Sequence, residues 1–292
     1  MNRRTFLAGA PAAFALAQAS AGQRLPIRKA MVYGNLPQKG SDGHTLTPLE
    51  RFQMAKSAGF EQIECHTTVD PKAVQEFKTA AESTGIKIHS VMNEDHWKYP
   101  LSSPDPAVVA KSMKGMETSL RNAKEWGAET VLLVPAVVTK DIGYREAWER
   151  SQAQIRKLIP LAAELKVIIA IEEVWNHFLL SPIEFARYVD DFNSPWVKAY
   201  FDVGNVVLFS FPQDWIRILG PRIVKLHLKD FSFRNGVARW DMLRDGDIDW
   251  KAIYASLASI GYKGTASIEI DMRDEAQLRD ASHRFDLIVT GA

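Results

Sequence analysis

The sequence predicts a single-domain α/β fold, a (β/α)8 TIM barrel, and three observations carry the prediction. Short β-branched or apolar runs alternate without a break with longer amphipathic ones, the order expected of repeated βα units. The amphipathic runs begin and end on helix punctuation. No Gly-rich turn follows the first apolar run, which weakens the rival open, doubly wound sheet. A chain of 292 residues with 46% hydrophobic composition can build one large core, and it suits one α/β domain better than two small ones.

Taken in order, the strands are read at "KAMVYGN" (29–35), "QIECH" (62–66), "IKIHSVM" (86–92), "TVLLVPA" (130–136), "VIIAIEEV" (167–174), "VKAYFDVG" (197–204), "IVKLHLKD" (223–230) and "TASIEI" (265–270). Helical patterns lie between them, among them "TPLERFQMAKSAGF", "DPKAVQEFKTAAESTG" and "YREAWERSQAQIRKLIPLAAELK". Thr47 before Pro48 and Asp105 before Pro106 mark helix starts, while Gly59, Gly85, Gly127, Gly220 and Gly261 fall at or near helix ends. With no low-complexity linker and no strong internal repeat, residues 24–292 read as one barrel domain.

Residues 1–21 read differently. Arg3-Arg4 precedes an apolar run from Thr5 to Ala17 and small residues at Ala17, Ala19 and Ala21, the layout of an export signal too short to span a bilayer as a mature helix. The Arg-Arg-Thr-Phe-Leu start resembles a twin-arginine signal, which implies export of an already folded protein to the periplasm and no stable membrane span after removal. Loss of Arg3 and Arg4 takes the formal charge from +1 to −1, so no nucleic-acid field follows. Cys65 is the sole cysteine and cannot form an internal disulfide.

The chemistry is sought at the C-terminal ends of the strands, where such barrels carry their reactive groups. The fifth strand ends on Glu172 and Glu173, the sixth on Asp202, the seventh on His227 and the eighth on Glu269. Carboxylates converging on one rim without a cation would force protons onto one another, and a divalent metal resolves that conflict. Three carboxylates with one imidazole suit Mn2+ first, with Mg2+ or Co2+ as the other cations of that class.

These residues also carry a resemblance. "IAIEEVWN", "YFDVGN", "KLHLKD" and "SIEI", in that order, resemble the sugar phosphate isomerase/epimerase family with its xylose-isomerase-like barrel. Carried across position by position, the resemblance implies metal ligation by Glu172, Asp202, His227 and Glu269, with Glu173 kept as the alternative to Glu172. It implies a sugar or keto-sugar substrate, with Glu172 and Glu269 doubling as the groups that remove and return a proton beside a carbonyl.

The sequence also departs from the ketose 3-epimerase branch. Asn205 stands where a His follows the strand-six Asp, Phe233 where an Arg follows the strand-seven His, and Phe178 where a second Glu follows the strand-five ligand. The metal set is kept while the sugar-gripping shell differs, so β-elimination from a 3-keto-glycoside and a non-catalytic sugar-binding barrel stay open as alternatives. An endonuclease-IV-like phosphodiesterase needs more histidines than the seven present and a basic track.

His66, His89, His96, Trp175, Asn176, Asn205 and Lys229 are the candidate sugar-binding residues, since aromatic faces with polar tips are what a carbohydrate site needs. Trp97 belongs to the same group or caps the core, and "NEDHWKYPLSSPD" reads as a loop over the mouth. The reading allows a homo-oligomer, although no apolar stripe specifies one.

Overall fold

The computed structural model describes residues 22–292, so the export signal read in residues 1–21 lies outside the described residues. Eight parallel strands close into a barrel in the order β1-β10-β7-β6-β5-β4-β3-β2. They are β1 (Arg28–Val32), β2 (Gln62–His66), β3 (Lys87–Met92), β4 (Thr130–Leu133), β5 (Ile168–Glu172), β6 (Val197–Asp202), β7 (Ile223–Leu228) and β10 (Thr265–Ile268). The eight helices that follow them are α1 (Pro48–Ser57), α2 (Pro71–Thr84), α3 (Pro106–Trp126), α4 (Tyr144–Leu165), α5 (Pro182–Asp190), α6 (Pro212–Leu219), α7 (Trp250–Ser259) and α8 (Glu275–Thr290). The predicted (β/α)8 TIM barrel is the fold.

The punctuation works as its chemistry requires. Thr47 and Glu50 form a reciprocal capping box on α1, and Asp70 and Asp105 accept from Lys72 N and Ala107 N at the starts of α2 and α3. Gly85 and Gly127 close α2 and α3 in the left-handed region at φ 73° and 71°, where a side chain would be strained.

Most predicted strands overrun the true ones at the C-terminal end. The apolar run continues because the chain just beyond several of them is itself buried, as Val134 is after β4 and Val203 after β6. The larger difference is an insertion between β7 and α7. Here β8 (Asp230–Arg234) and β9 (Val237–Asp241) pair as an antiparallel hairpin outside the barrel.

Two faces of each strand see different surroundings. The odd-numbered set Val131, Ile169, Ile171, Ala199 and Phe201 packs outward against the helices. Inside the barrel, the buried apolar cluster is small: Leu132, Val134, Ala170 and Tyr200. Much of the remaining lumen is polar and internally bonded, as burial away from water demands. Thr265 Oγ1 donates to Gln62 Oε1 at 2.7 Å and His89 Nε2 meets Ser267 Oγ at 2.9 Å, while the buried Lys225 ammonium reaches out to the exposed Glu129 at 3.2 Å.

Candidate active site

Parallel pairing with a two-residue side-chain period brings one residue per strand to the top of the lumen. Asp202 lies directly opposite His227 across β6 and β7, and Glu172 stands beside Tyr200 across β5 and β6. Glu269 follows the end of β10, where its N–H donates to Leu228 O at 3.0 Å. Glu172, Asp202, His227 and Glu269 each present one ligand-type atom, all within 4.8 Å of one another. His227 Nδ1 is 2.8 Å from Glu172 Oε1, 3.5 Å from Glu269 Oε2 and 3.9 Å from Asp202 Oδ2.

Glu173 is not in this group. Its Oε1 accepts from Asp202 N at 3.0 Å and its backbone carbonyl from Asn205 Nδ2 at 2.9 Å, so it buttresses the turn after β6. Asp202 is oriented from the same turn, since its Oδ1 accepts from Gly204 N at 2.7 Å and Asn205 N at 2.9 Å. Gly204 permits that turn, because a Cβ there would stand 2.6 Å from Lys229 Cγ and 3.1 Å from the Lys229 carbonyl oxygen.

The electrostatics favour a cation. Glu64, Glu172, Glu173, Asp202 and Glu269 are faced by two basic groups, His227 and the Lys229 ammonium, the latter 2.7 Å from Asp202 and 2.5 Å from Glu269. Burial pushes the Glu172 carboxyl up to about 7 against the pull of His227, and burial with Asp202 and Glu172 nearby pushes Glu173 well above the usual carboxylate range. Burial opposes ionisation of Glu269 as well, but His227 and Lys229 outweigh it and hold that carboxyl at about 2. Asp202 Oδ2 is buried, and its close basic partner is the Lys229 ammonium at 2.7 Å. An excess of carboxylates over basic groups, with three carboxylate oxygens and an imidazole nitrogen within 4.8 Å of one another, forms a donor set that fits a hard divalent cation.

Above this cluster opens a pocket of about 240 Å³, with Glu172 and Glu269 in its lining. His96, Trp97, Trp175, Asn205 and Lys229 form its walls together with Trp240 from β9. The three tryptophans are 55%, 44% and 45% exposed, which places Trp97 and Trp175 on the rim and not under it as core caps. Trp175 and Trp240 lie with ring centroids 4.9 Å apart, and the Trp175 indole N–H donates to Asn205 O at 2.8 Å. The Lys229 ammonium sits 4.7 Å from the Trp240 ring centre. His96 is buried, and desolvation lowers its pKa to about 4, so it presents a neutral imidazole to the pocket. Residues 93–105 are turns that carry His96 and Trp97 to the wall.

Three sequence-predicted residues are not on that pocket. The His66 ring packs against Tyr33 and, edge-on, against Phe77 of α2, with centroids 5.7 and 5.3 Å away. His89 lies in the lumen bonded to Ser267, with its pKa pushed well below the usual imidazole value by burial. Asn176 is turned back into its own loop, donating to Ala136 O at 2.6 Å and accepting from Phe178 N at 3.1 Å. Its amide fixes the segment that presents Trp175. Phe178, at the position of a sugar-gripping Glu in the resemblance, is core and 1% exposed.

Trp240 and Glu64 are the site residues that sequence reasoning missed. The signal for Trp240 was Asn235-Gly236, a two-residue hairpin turn with both residues in the left-handed region at φ 54° and 78°. Glu64, in the lumen on β2, has no such signal.

The chain is similar to several known proteins. L-ribulose-5-phosphate 3-epimerase of Escherichia coli is 26% identical over 234 residues, covering 76% of this chain and 81% of the relative. Among solved structures, D-psicose 3-epimerase of Clostridium cellulolyticum superposes with a TM-score of 0.72 at 20% identity, covering 89% of this chain and 98% of that one. The 3-keto-D-glucoside 4-epimerase of E. coli gives 0.72 at 17% identity, covering 87% and 97%. These relatives are sugar epimerases, and the structural likeness is one of fold. Over residues 52–286 the chain matches the sequence profile of the xylose isomerase-like TIM barrel family, and it belongs to that family.

Proposed function

We propose that this protein is a divalent-metal-dependent epimerase of an unphosphorylated keto-sugar. The observation that carries the reading is the convergence of Glu172, Asp202, His227 and Glu269 on the floor of a tryptophan-rimmed pocket. A cation held by these four residues, Mn2+ by preference and Mg2+ or Co2+ otherwise, supplies Lewis-acid polarisation of a substrate carbonyl. Glu172 and Glu269 both line the pocket, so a sugar carbon between them meets one carboxylate on each side, one to take the proton beside the carbonyl and one to return it. Neutral His96 and the Asn205 amide offer hydrogen bonds to hydroxyls, and Trp175 with Trp240 offers apolar faces to the ring.

The choice of an unphosphorylated substrate is supported by the cations of the wall. Lys229 is the basic residue of the pocket lining, and its ammonium is committed to Asp202 and Glu269. A phosphorylated substrate needs uncommitted donors of the Arg, Lys or helix-terminus kind. The twin-arginine-like leader read in residues 1–21 supports the same choice, because exported enzymes seldom meet sugar phosphates.

The test is incubation of the metal-loaded protein with ketoses, 3-keto-glycosides and ketose phosphates in deuterated water. We expect deuterium at one carbon beside the carbonyl of an unphosphorylated substrate, lost with chelator and restored by Mn2+. Exchange confined to the phosphates overturns the substrate class, and release of a leaving group in place of an exchanged epimer makes the protein a lyase. In Trp175→Ala the KM for that sugar is expected to rise about tenfold, the loss of one stacking face. Metal content and Tm should stay at wild-type values, since the ring is partly exposed; unchanged KM with a lowered Tm reassigns Trp175 to packing.

A further inference from the structure

Behind the imidazole of His227 lies a second buried structure, on the side away from the other three candidate ligands. Glu64 rises into the lumen from β2, and its Oε2 is 2.6 Å from His227 Nε2. The same oxygen accepts from the Tyr200 hydroxyl at 2.9 Å. Both Glu64 and His227 are fully buried, and the Tyr200 ring packs on the imidazole at a centroid distance of 4.4 Å. From Tyr200 the polar contacts run on, at 3.4 Å to Ser267 Oγ and from there at 2.9 Å to His89 Nε2. The two ring nitrogens of His227 therefore face different partners. Nδ1 faces Glu172, Glu269 and Asp202, whereas Nε2 faces Glu64.

We infer that Glu64 is a positioning residue for the metal centre: it accepts the Nε2–H of His227 and so directs the Nδ1 lone pair toward the space shared by Glu172, Asp202 and Glu269. The inference rests on the metal-centre reading above. A ligating imidazole gives its lone pair from one nitrogen and needs an acceptor for the N–H of the other, and a carboxylate in that place fixes the ring and raises its basicity. Glu64 is not a fifth ligand, because the imidazole stands between it and the other three side chains. Burial makes the arrangement specific. In this fully buried site the Nε2–H loses its acceptor if Glu64 is removed, while Glu64 Oε2 without the imidazole keeps only the Tyr200 hydroxyl. Tyr200 donates to the same carboxylate oxygen, so the orientation is set by strands β2, β6 and β7 together.

The experiment compares Glu64→Gln and Glu64→Ala with the wild type by chelator-competed Mn2+ titration of the full-length protein, scored per folded molecule. We expect Glu64→Ala to bind Mn2+ about 10- to 100-fold more weakly, and Glu64→Gln to recover most of that loss because its amide oxygen still accepts from Nε2–H. Affinity within twofold of wild type in Glu64→Ala, with only a lowered Tm, overturns the inference and leaves Glu64 a structural residue. A measurement on the wild type covers failure of the alanine variant to fold. In 15N spectra of the Zn2+-loaded protein, His227 should carry its proton on Nε2, and a proton on Nδ1 overturns the assignment. A wild type that takes up neither Mn2+ nor Zn2+ removes the metal centre and this inference with it, whereas wild-type uptake with an unaffected Glu64→Ala removes the inference alone.

Discussion

His227→Ala is expected to lower divalent-metal affinity by at least about tenfold and to lower activity further, because the nitrogen donor is lost and only carboxylates remain. The same substitution leaves the fully buried Glu64 carboxylate with the neutral Tyr200 hydroxyl at 2.9 Å in place of its 2.6 Å imidazole partner. Breaking a buried charged pair by removing one member costs about 3–5 kcal/mol, so the variant should also melt earlier. Chelator-competed titration scored per folded molecule, read beside the melting curve, separates the two effects. Full metal stoichiometry at wild-type affinity in the folded fraction would sink the four-ligand site.

Glu269→Gln should fail in a different way. The amide oxygen can stay in place, so metal is expected to be retained in part, but the group can no longer take or return a proton. Turnover should fall by about 10²- to 10⁴-fold, the usual contribution of a positioned acid or base, with KM changed far less. The substitution also removes the anionic partner 2.5 Å from the Lys229 ammonium, while Asp202 at 2.7 Å remains. Lys229 therefore keeps a counter-charge, and no large loss of stability is expected. Single-turnover exchange in deuterated water is the direct measurement, and exchange within threefold of wild type would remove Glu269 from the proton path.

The residues on the strand ends were legible because they interrupt apolar runs. Asp202 after Tyr200 and Phe201, and Glu269 after Ile268, break a pattern that a purely structural strand would continue. Glu64 was not legible, although it lies on a strand whose bounds were read correctly. In "QIECH" the polar residues alternate with apolar ones, and that alternation is the same whether the polar face meets water or a polar lumen. Only closure of the barrel, which turns Gln62 toward Thr265 and Glu64 toward His227, separates the cases. His66 and Asn176 failed as pocket residues for a related reason. A residue's place at a strand end fixes its height in the barrel, while its side-chain direction depends on what packs beside it, here Phe77 for His66 and the Ala136 carbonyl for Asn176.

Asp230, the first residue of β8, is fully buried and receives the chain at both ends of the inserted hairpin. Its Oδ1 accepts from Phe231 N at 2.8 Å and Ile248 N at 3.3 Å, and its Oδ2 from Arg244 N and the Trp250 indole, both at 2.8 Å. One carboxylate thus closes the neck of the loop in which Trp240 sits, leaving Glu172 and Asp202 on strands that the loop does not touch through that neck. Evolution, or a protein engineer, can trade the loop's tip for one of another length or composition while the neck and the barrel keep their register. One wall of the pocket is in this sense carried on a stretch of chain separate from the carboxylate–histidine cluster, and that wall can change while the cluster stays in place.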